Sequence, residues 1–395
     1  MKVKGFSAAA VEAGIRYKDR LDLGLIYSDR PAVAAGVFTT NRVKAAPVLL
    51  DINRLRRGNK AQAILVNSGN ANACNGEQGM ELARSVSAMA ARRLDIDEEL
   101  VQVASTGVIG EMLDADPFAR RMPALVDSLS ENGFDDLARA MMTTDTVPKI
   151  VHKTVDIGGA EVSVLGVAKG SGMIMPNMAT MLCFMVTDAQ IVFPVLREIV
   201  AGGVENTFNR ITIDGDTSTN DTVLVLANGA AGNERLDENS PKETEMFARA
   251  MHSVFQELAT MIVVDGEGAT KAVTIRVTGA GEEESALNAA RTIANSPLVK
   301  TAFFGEDPNW GRIMAALGRS DCCFHPDRVS IAFDEVVVAE QGMGTGAEAE
   351  REAARVMRRD AFTLTVHLHD GTESAEVQTC DFSKEYIAIN ADYRS

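Results

Sequence analysis

The stretch Lys169-Gly-Ser-Gly-Met-Ile-Met-Pro-Asn-Met-Ala-Thr180-Met-Leu182 puts a lysine on a glycine-containing loop, ahead of a threonine that follows a small residue. That order of types suits a chain that cuts itself. A threonine inside a chain has no base of its own, whereas one at a new N-terminus carries an α-amine able to take its hydroxyl proton. Such an amine has a pKa of roughly 7.7–8.0, so a useful fraction is neutral near physiological pH. The segment predicts a scissile bond between Ala179 and Thr180. The competing reading is a glycine turn that runs into a buried strand from Thr180 to Thr187. A second candidate is Thr106-Gly107 within Ala104-Ser-Thr-Gly-Val-Ile-Gly110, where a hydroxyl adjoins an unhindered backbone N–H and the two can stabilise an oxyanion. A plain turn is the alternative there. Thr143-Thr-Asp-Thr146 offers further hydroxyls, which also suit the end of a helix. Asp265-Gly-Glu267-Gly-Ala-Thr-Lys271 holds an acid between glycines ahead of a strand, fit to present a carboxylate to a ligand or to form a solvated acidic turn.

Other patterns fail as sites. Asp214-Gly-Asp-Thr-Ser-Thr-Asn-Asp221 has the look of a calcium loop, but its sixth position is Thr219 and its twelfth is Val225, where glycine and glutamate are required. Asx and Ser/Thr turns explain it better. His367 and His369 share a strand face with no third ligand nearby, which predicts a solvated face and no metal. Gly342-Met-Gly344-Thr-Gly-Ala347 matches a relaxed nucleotide fingerprint, yet too little chain follows to complete a dinucleotide domain, so it reads as a turn.

Composition narrows the partners. A net charge of −16 over 395 residues leaves no diffuse basic surface for phosphates and predicts no nucleic-acid partner. A local lysine still serves a carboxylate ligand, because a pocket's potential is set by its nearest groups. The first residues, Met1-Lys-Val-Lys-Gly-Phe-Ser, lead into no apolar stretch, so no secretory signal is expected. No run reaches the roughly 18 apolar residues of a membrane span. Cys74, Cys183, Cys322, Cys323 and Cys380 are scattered and odd in number, as suits reduced thiols in a cytoplasm.

The elements that must position these residues are legible as periodicity. Apolar and β-branched runs predict strands at 33–39, 61–66, 150–156, 161–167, 181–187, 222–227, 272–278, 329–338, 362–368 and 376–380. Recurrence at three and four predicts helices at 79–93, 117–129, 134–142, 194–208, 241–262, 283–294 and 347–358. Strands and helices mix without a regular βα repeat, so a layered α+β architecture is expected. A cut before Thr180 gives pieces 1–179 and 180–395, too interleaved to be independent domains.

Nine stretches in order resemble the ornithine acetyltransferases (glutamate N-acetyltransferases). They are Gly36 to Pro47, Asn67-Ser-Gly-Asn-Ala-Asn-Ala73, Ser105-Thr-Gly107, Met142 to Thr146, Lys169 to Leu182, Phe208 to Asp221, Asp265 to Lys271, Gly305-Glu-Asp-Pro-Asn-Trp-Gly-Arg312 and Ile389 to Ser395. The resemblance implies a precursor cleaved before Thr180 into an α chain, 1–179, and a β chain, 180–395, that stay associated as α2β2. It implies a β-sandwich flanked by helices, of the fold shared with self-cleaving aminopeptidases. Thr180 would be the nucleophile and Thr106 and Gly107 the oxyanion donors. Thr146, Lys169, Thr180, Glu267, Asn390 and Ser395 would line the substrate pocket. The implied substrates are N-acetylornithine and glutamate, exchanged by ping-pong kinetics with no resident cofactor. Whether acetyl-CoA is also a donor stays open in the sequence. Met175 and Val264 depart from the family pattern without replacing a catalytic group. Two rivals remain: a self-cleaving aminopeptidase or amidohydrolase that gives the acyl group to water, and a non-catalytic amino-acid-binding protein.

Overall fold

The structure, a computed structural model, describes residues 1–175 and 181–393. Its chain forms two compact units, the first from residues 1–173, 177–209 and 216–262, the second chiefly from 263–395 with 210–215. In chain order the strands are β1 (Phe6–Val11), β2 (Leu23–Phe38), β3 (Lys60–Asn67), β4 (Val101–Ser105), β5 (Lys149–Ile157), β6 (Ala160–Lys169), β7 (Leu182–Thr187), β8 (Ile211–Thr212) and β9 (Thr222–Ala227). They continue as β10 (Ala272–Ala280), β11 (Ser330–Phe333), β12 (Val336–Glu340), β13 (Met343–Gly344), β14 (Ala361–His367) and β15 (Glu373–Cys380). The helices are α1 (Ala46–Arg57), α2 (Gly76–Leu94), α3 (Asp116–Asp127), α4 (Phe134–Met141), α5 (Phe193–Glu205), α6 (Pro241–Val264), α7 (Glu283–Ala294), α8 (Pro297–Phe304), α9 (Trp310–Leu317), α10 (Ala347–Val356) and α11 (Lys384–Asp392).

In the first unit the sheet runs β4-β3-β2-β9-β7-β6-β5, with β1 also on β2. It is mixed: β3 lies parallel to β4 and β7 parallel to β9, while the other pairs are antiparallel. β7 (LCFMVT) and β9 (TVLVLA) are buried at every position. Continuous apolar strands belong where both faces of a sheet are covered, and these two occupy the middle of the order. Gly166 and Gly203 let helices approach closely. A Cβ on Gly166 would sit 2.8 Å from Leu258 of α6, and one on Gly203 2.7 Å from Phe255.

The second unit carries the sheet β13-β12-β11-β14-β10-β15-β8, again mixed, with β10 parallel to β14 and β15 parallel to β8. Here β14 alternates buried with less buried residues, and Val273, Ile275 and Val277 of β10 join Leu287, Ile293, Phe303 and Leu317 in one core. Both units are therefore sheets flanked by helices, in a layered α+β fold.

Two expectations need adjusting. The strand expected over 329–338 is two, β11 and β12, folded back at Asp334-Glu335, where Asp334 takes a left-handed backbone and accepts the Thr363 amide through Oδ1. The strand expected at 33–39 is only the second part of β2, which shifts register between Tyr27 and Ala32. Gly342 lies in the tight connection from β12 to β13, as a turn and not a nucleotide loop. Among the described residues, no helix is long and apolar enough to cross a membrane.

Candidate functional site

The end of β4 delivers Thr106 and Gly107 into a turn held on one side by the loop after β3. The Thr106 N–H donates to the Asn67 carbonyl at 3.0 Å, and Ser105 Oγ donates to Asn67 Oδ1 at 2.7 Å. Thr106 is only 4% exposed, and its hydroxyl has no hydrogen-bond partner among the described residues. Gly107 has a φ of +130°, and a Cβ there would fall 2.3 Å from the Gly69 carbonyl carbon and 2.6 Å from the Asn70 nitrogen. Only glycine fits that contact. An unengaged hydroxyl beside a glycine on a braced turn is an arrangement that can receive developing negative charge.

Lys169, the last residue of β6, is 3% exposed and faces Asp145, its Nζ 4.0 Å from Oδ2. The same carboxylate accepts from Lys149 Nζ at 2.7 Å, from the Gly170 amide at 2.7 Å and from the Thr143 amide at 3.1 Å. Burial by itself would raise the Asp145 carboxyl, but the Lys169 and Lys149 ammoniums and these hydrogen bonds bring it down to about 2. One carboxylate between two buried lysines fixes the position of both. Thr144 Oγ1 lies 2.7 Å from Ser171 Oγ, tying the 143–146 segment to the loop after Lys169, and Thr146 is exposed. The four-residue hydroxyl run thus follows α4, which ends at Met141, and braces the Lys169 loop.

In the second unit, residues far apart in sequence meet. Asn390 Nδ2 donates to Glu267 Oε2 at 2.7 Å, and Glu267 is 7% exposed, so the solvated acidic turn is excluded. Gly268, with a φ of +66°, lets α11 approach: a Cβ there would lie 2.6 Å from the Tyr386 nitrogen. Ser383 caps α11, accepting the Glu385 amide at 3.1 Å, and donates to the Gly268 carbonyl at 2.6 Å. Asp381 holds the other end of the loop by accepting the Thr270 and Lys271 amides at 2.8 and 2.9 Å.

Three predicted positions, Ala179, Thr180 and Ser395, lie outside the described residues. Val264 is exposed at the end of α6 and Met175 is partly buried. Asp145, Lys149, Asp381 and Ser383 were not singled out from sequence. Of these, only Ser383 had a readable signal, a serine just before a helix. The Asp214–Asp221 run is built of side-chain turns, with Ser218 Oγ accepting the Asn220 amide at 3.1 Å. Among the described residues no cluster of three metal-binding side chains occurs. His367 and His369 instead bond Thr278 Oγ1 (2.7 Å) and Ser330 Oγ (3.2 Å). All five cysteines are free thiols.

Known proteins resemble this chain throughout. The family profile described as the ArgJ family matches residues 7–395. The arginine biosynthesis bifunctional protein ArgJ of Desulfotalea psychrophila is 54% identical over 395 residues, covering 100% of both chains. Its namesake in Geobacter sulfurreducens is 50% identical over 395 residues, with the same coverage. A crystal structure of the Bacillus halodurans bifunctional ArgJ is 40% identical and superposes with a TM-score of 0.50, covering 53% of this chain and 98% of that chain. An autoprocessed acyltransferase of arginine biosynthesis, on a layered α+β fold, is the class that family and relatives define. Within that class the chain belongs to the ArgJ family.

Proposed function

We propose that this enzyme is a glutamate N-acetyltransferase moving acetyl from N2-acetyl-L-ornithine to L-glutamate. The unbroken correspondence of residues 7–395 to the ArgJ family carries the reading. Cleavage between Ala179 and Thr180 makes an α chain, 1–179, and a β chain, 180–395, that remain together as α2β2 in the cytoplasm. Support comes from the solved Bacillus halodurans chain, which spans only about half of this one, as one piece of a cut precursor would.

Thr180 Oγ attacks the acetamide carbonyl carbon while the Thr180 α-amine takes the hydroxyl proton. The Thr106 hydroxyl and the Gly107 N–H receive the oxyanion. The C–N bond then breaks, the departing amine of ornithine takes the proton, and an acetyl-threonine ester remains. The glutamate amine attacks that ester, the acetyl leaves as N-acetylglutamate, and Thr180 Oγ recovers its proton. In this reading Lys169 serves the substrate α-carboxylate and Glu267, hydrogen-bonded to Asn390, serves its distal ammonium, with Thr146 and Ser395 as further substrate-binding residues. Charge-assisted contacts of this kind are the strong ones in a partly dry site. The chemistry needs no resident cofactor. Acetyl-CoA serves as a second donor in this reading, supported by the word bifunctional in the relatives' names.

Intact mass and product analysis test the proposal. Wild type should give two fragments, the second led by threonine, while Thr180→Ala stays whole and inactive. N-acetylglutamate should appear only with glutamate present, and initial rates against both substrates should give parallel double-reciprocal lines. Free acetate formed regardless of glutamate would mark a hydrolase, and intersecting lines would rule out the acetyl-enzyme. Acetyl-CoA incubated with glutamate should yield N-acetylglutamate; no product would remove the second donor.

A further inference from the structure

The dipeptide Asn220-Asp221, just before β9, is bound to both halves of the acetyl-transfer machinery. Asn220 Nδ2 donates to the Ser105 carbonyl at 2.8 Å and to the Ala71 carbonyl at 2.6 Å. Ser105 precedes Thr106 directly, and Ala71 follows Asn70, whose nitrogen abuts Gly107. The next residue acts on the other side. Asp221 Oδ1 accepts the Met181 amide at 3.0 Å, and that amide belongs to the peptide joining residues 180 and 181. The Met181 carbonyl is fixed in turn by the Thr222 N–H at 3.1 Å. The dipeptide is itself immobilised: Thr39 N–H donates to the Asp221 carbonyl at 3.0 Å, and Thr219 Oγ1 donates to Asn220 Oδ1 at 2.6 Å.

We propose that Asn220 and Asp221 form a positioning joint that sets the Thr106–Gly107 turn and the peptide following Thr180 in one register. The inference rests on the reading of Thr180 as nucleophile and Thr106–Gly107 as oxyanion donors. Two adjacent residues on one strand entry fix the distance between the groups they hold, where separate supports would let each drift. A misplacement of this order is costly in acyl transfer, since donors must meet the oxyanion within a few tenths of an ångström. Asp221 is wholly buried, with no partner for Oδ2 among the described residues. Burial drives its carboxyl well above the usual range, against the opposing pull of the Met181 amide, Thr39, Lys169 and Ser218. A carboxamide offers the Met181 amide an accepting oxygen of the same shape and reach, so asparagine should replace it.

The test uses the full chain after cleavage, with variants that cleave slowly incubated to completion before assay. Asn220→Ala should lower kcat by about tenfold or more, with KM for N-acetylornithine moving less than about threefold. Because Asn220 acts through the same turn as Thr106, the double variant Asn220→Ala/Thr106→Ala should be no slower than Thr106→Ala, within about twofold. Losses that multiply overturn the joint. Asp221→Asn should keep kcat within about fivefold of wild type, whereas Asp221→Ala should lose about 100-fold. Equal rates in those two variants also overturn it, and if Asp221→Ala does not fold, the Asn220 cycle decides. Activity in a Thr180→Ala control would sink the functional reading; multiplying losses in an enzyme that needs Thr180 would sink the joint alone.

Discussion

At Gly107 the backbone leaves no room for any other residue, because a Cβ would overlap the Gly69 and Asn70 backbone and the φ of +130° is strained for L side chains. Gly107→Ala should therefore displace the turn, and kcat should fall by about 10²–10³, the loss expected when one oxyanion donor is removed. Thr106→Ala should cost a similar factor by deleting the hydroxyl, with the fold unchanged by circular dichroism. Asp145→Asn tests a different quantity. It leaves Lys149 and Lys169 buried without their carboxylate, at a cost of about 3–5 kcal/mol by urea unfolding. The carboxyl sits at about 2 when folded against about 3.9 in the unfolded chain, so its contribution is full above pH 4 and disappears as pH falls through 2. The stability gap between wild type and Asp145→Asn should accordingly narrow by about 2 kcal/mol toward pH 2; a gap constant with pH would show that Asp145 is not ionised in the fold.

The helix that carries Asn390 depends on one cap. Ser383 satisfies the first amides of α11 and at the same time holds the Gly268 carbonyl, so it joins the helix to the Glu267 loop. Ser383→Ala should cost about 1 kcal/mol as a cap loss and lower the melting temperature by a few degrees. It should also raise KM for N-acetylornithine more than it lowers kcat, because Glu267 and Asn390 bind substrate in our reading. Legibility varied among the elements for clear reasons. β7 and β9 were readable because central strands are apolar throughout, and α2, α6 and α7 because each buries one stripe. α11 has no buried residue, so no stripe exists to read, and the helix was missed although its capping serine is a local signal. α1 begins without a side-chain cap or first-turn acid, and α8 likewise, so their boundaries carried little local signal. The hairpin of β11 and β12 hid because both strands are apolar and the two-residue turn between them lacks glycine.

Across the whole chain, the proposed cut and the compact units do not coincide. The first unit's sheet takes β2, β5 and β6 from before residue 180 and β7 and β9 from after it, and the later pair sits between β2 and β6. Removing 180–395 would leave a gap at the centre of that sheet and strip the edges of two strands of their partners. The two pieces should co-elute on size exclusion after cleavage and part only in denaturant. Residues 1–179 expressed alone should aggregate or stay unfolded, and a folded, monomeric 1–179 would contradict the topology. The sequence by itself determined what is local: a threonine after a small residue, a threonine–glycine turn, an acid between glycines, and the periodicity of most strands and helices. Those features follow from residue type and near-neighbour spacing. Only the tertiary structure decided that Asn390 orients Glu267 from 123 residues away and that Asn220 braces Ser105 from 115 residues away. It alone placed one buried carboxylate, Asp145, between two lysines. Such contacts are fixed by sheet order and loop closure, in which many segments must be placed before any one pair can meet, and no local stretch of sequence records that outcome.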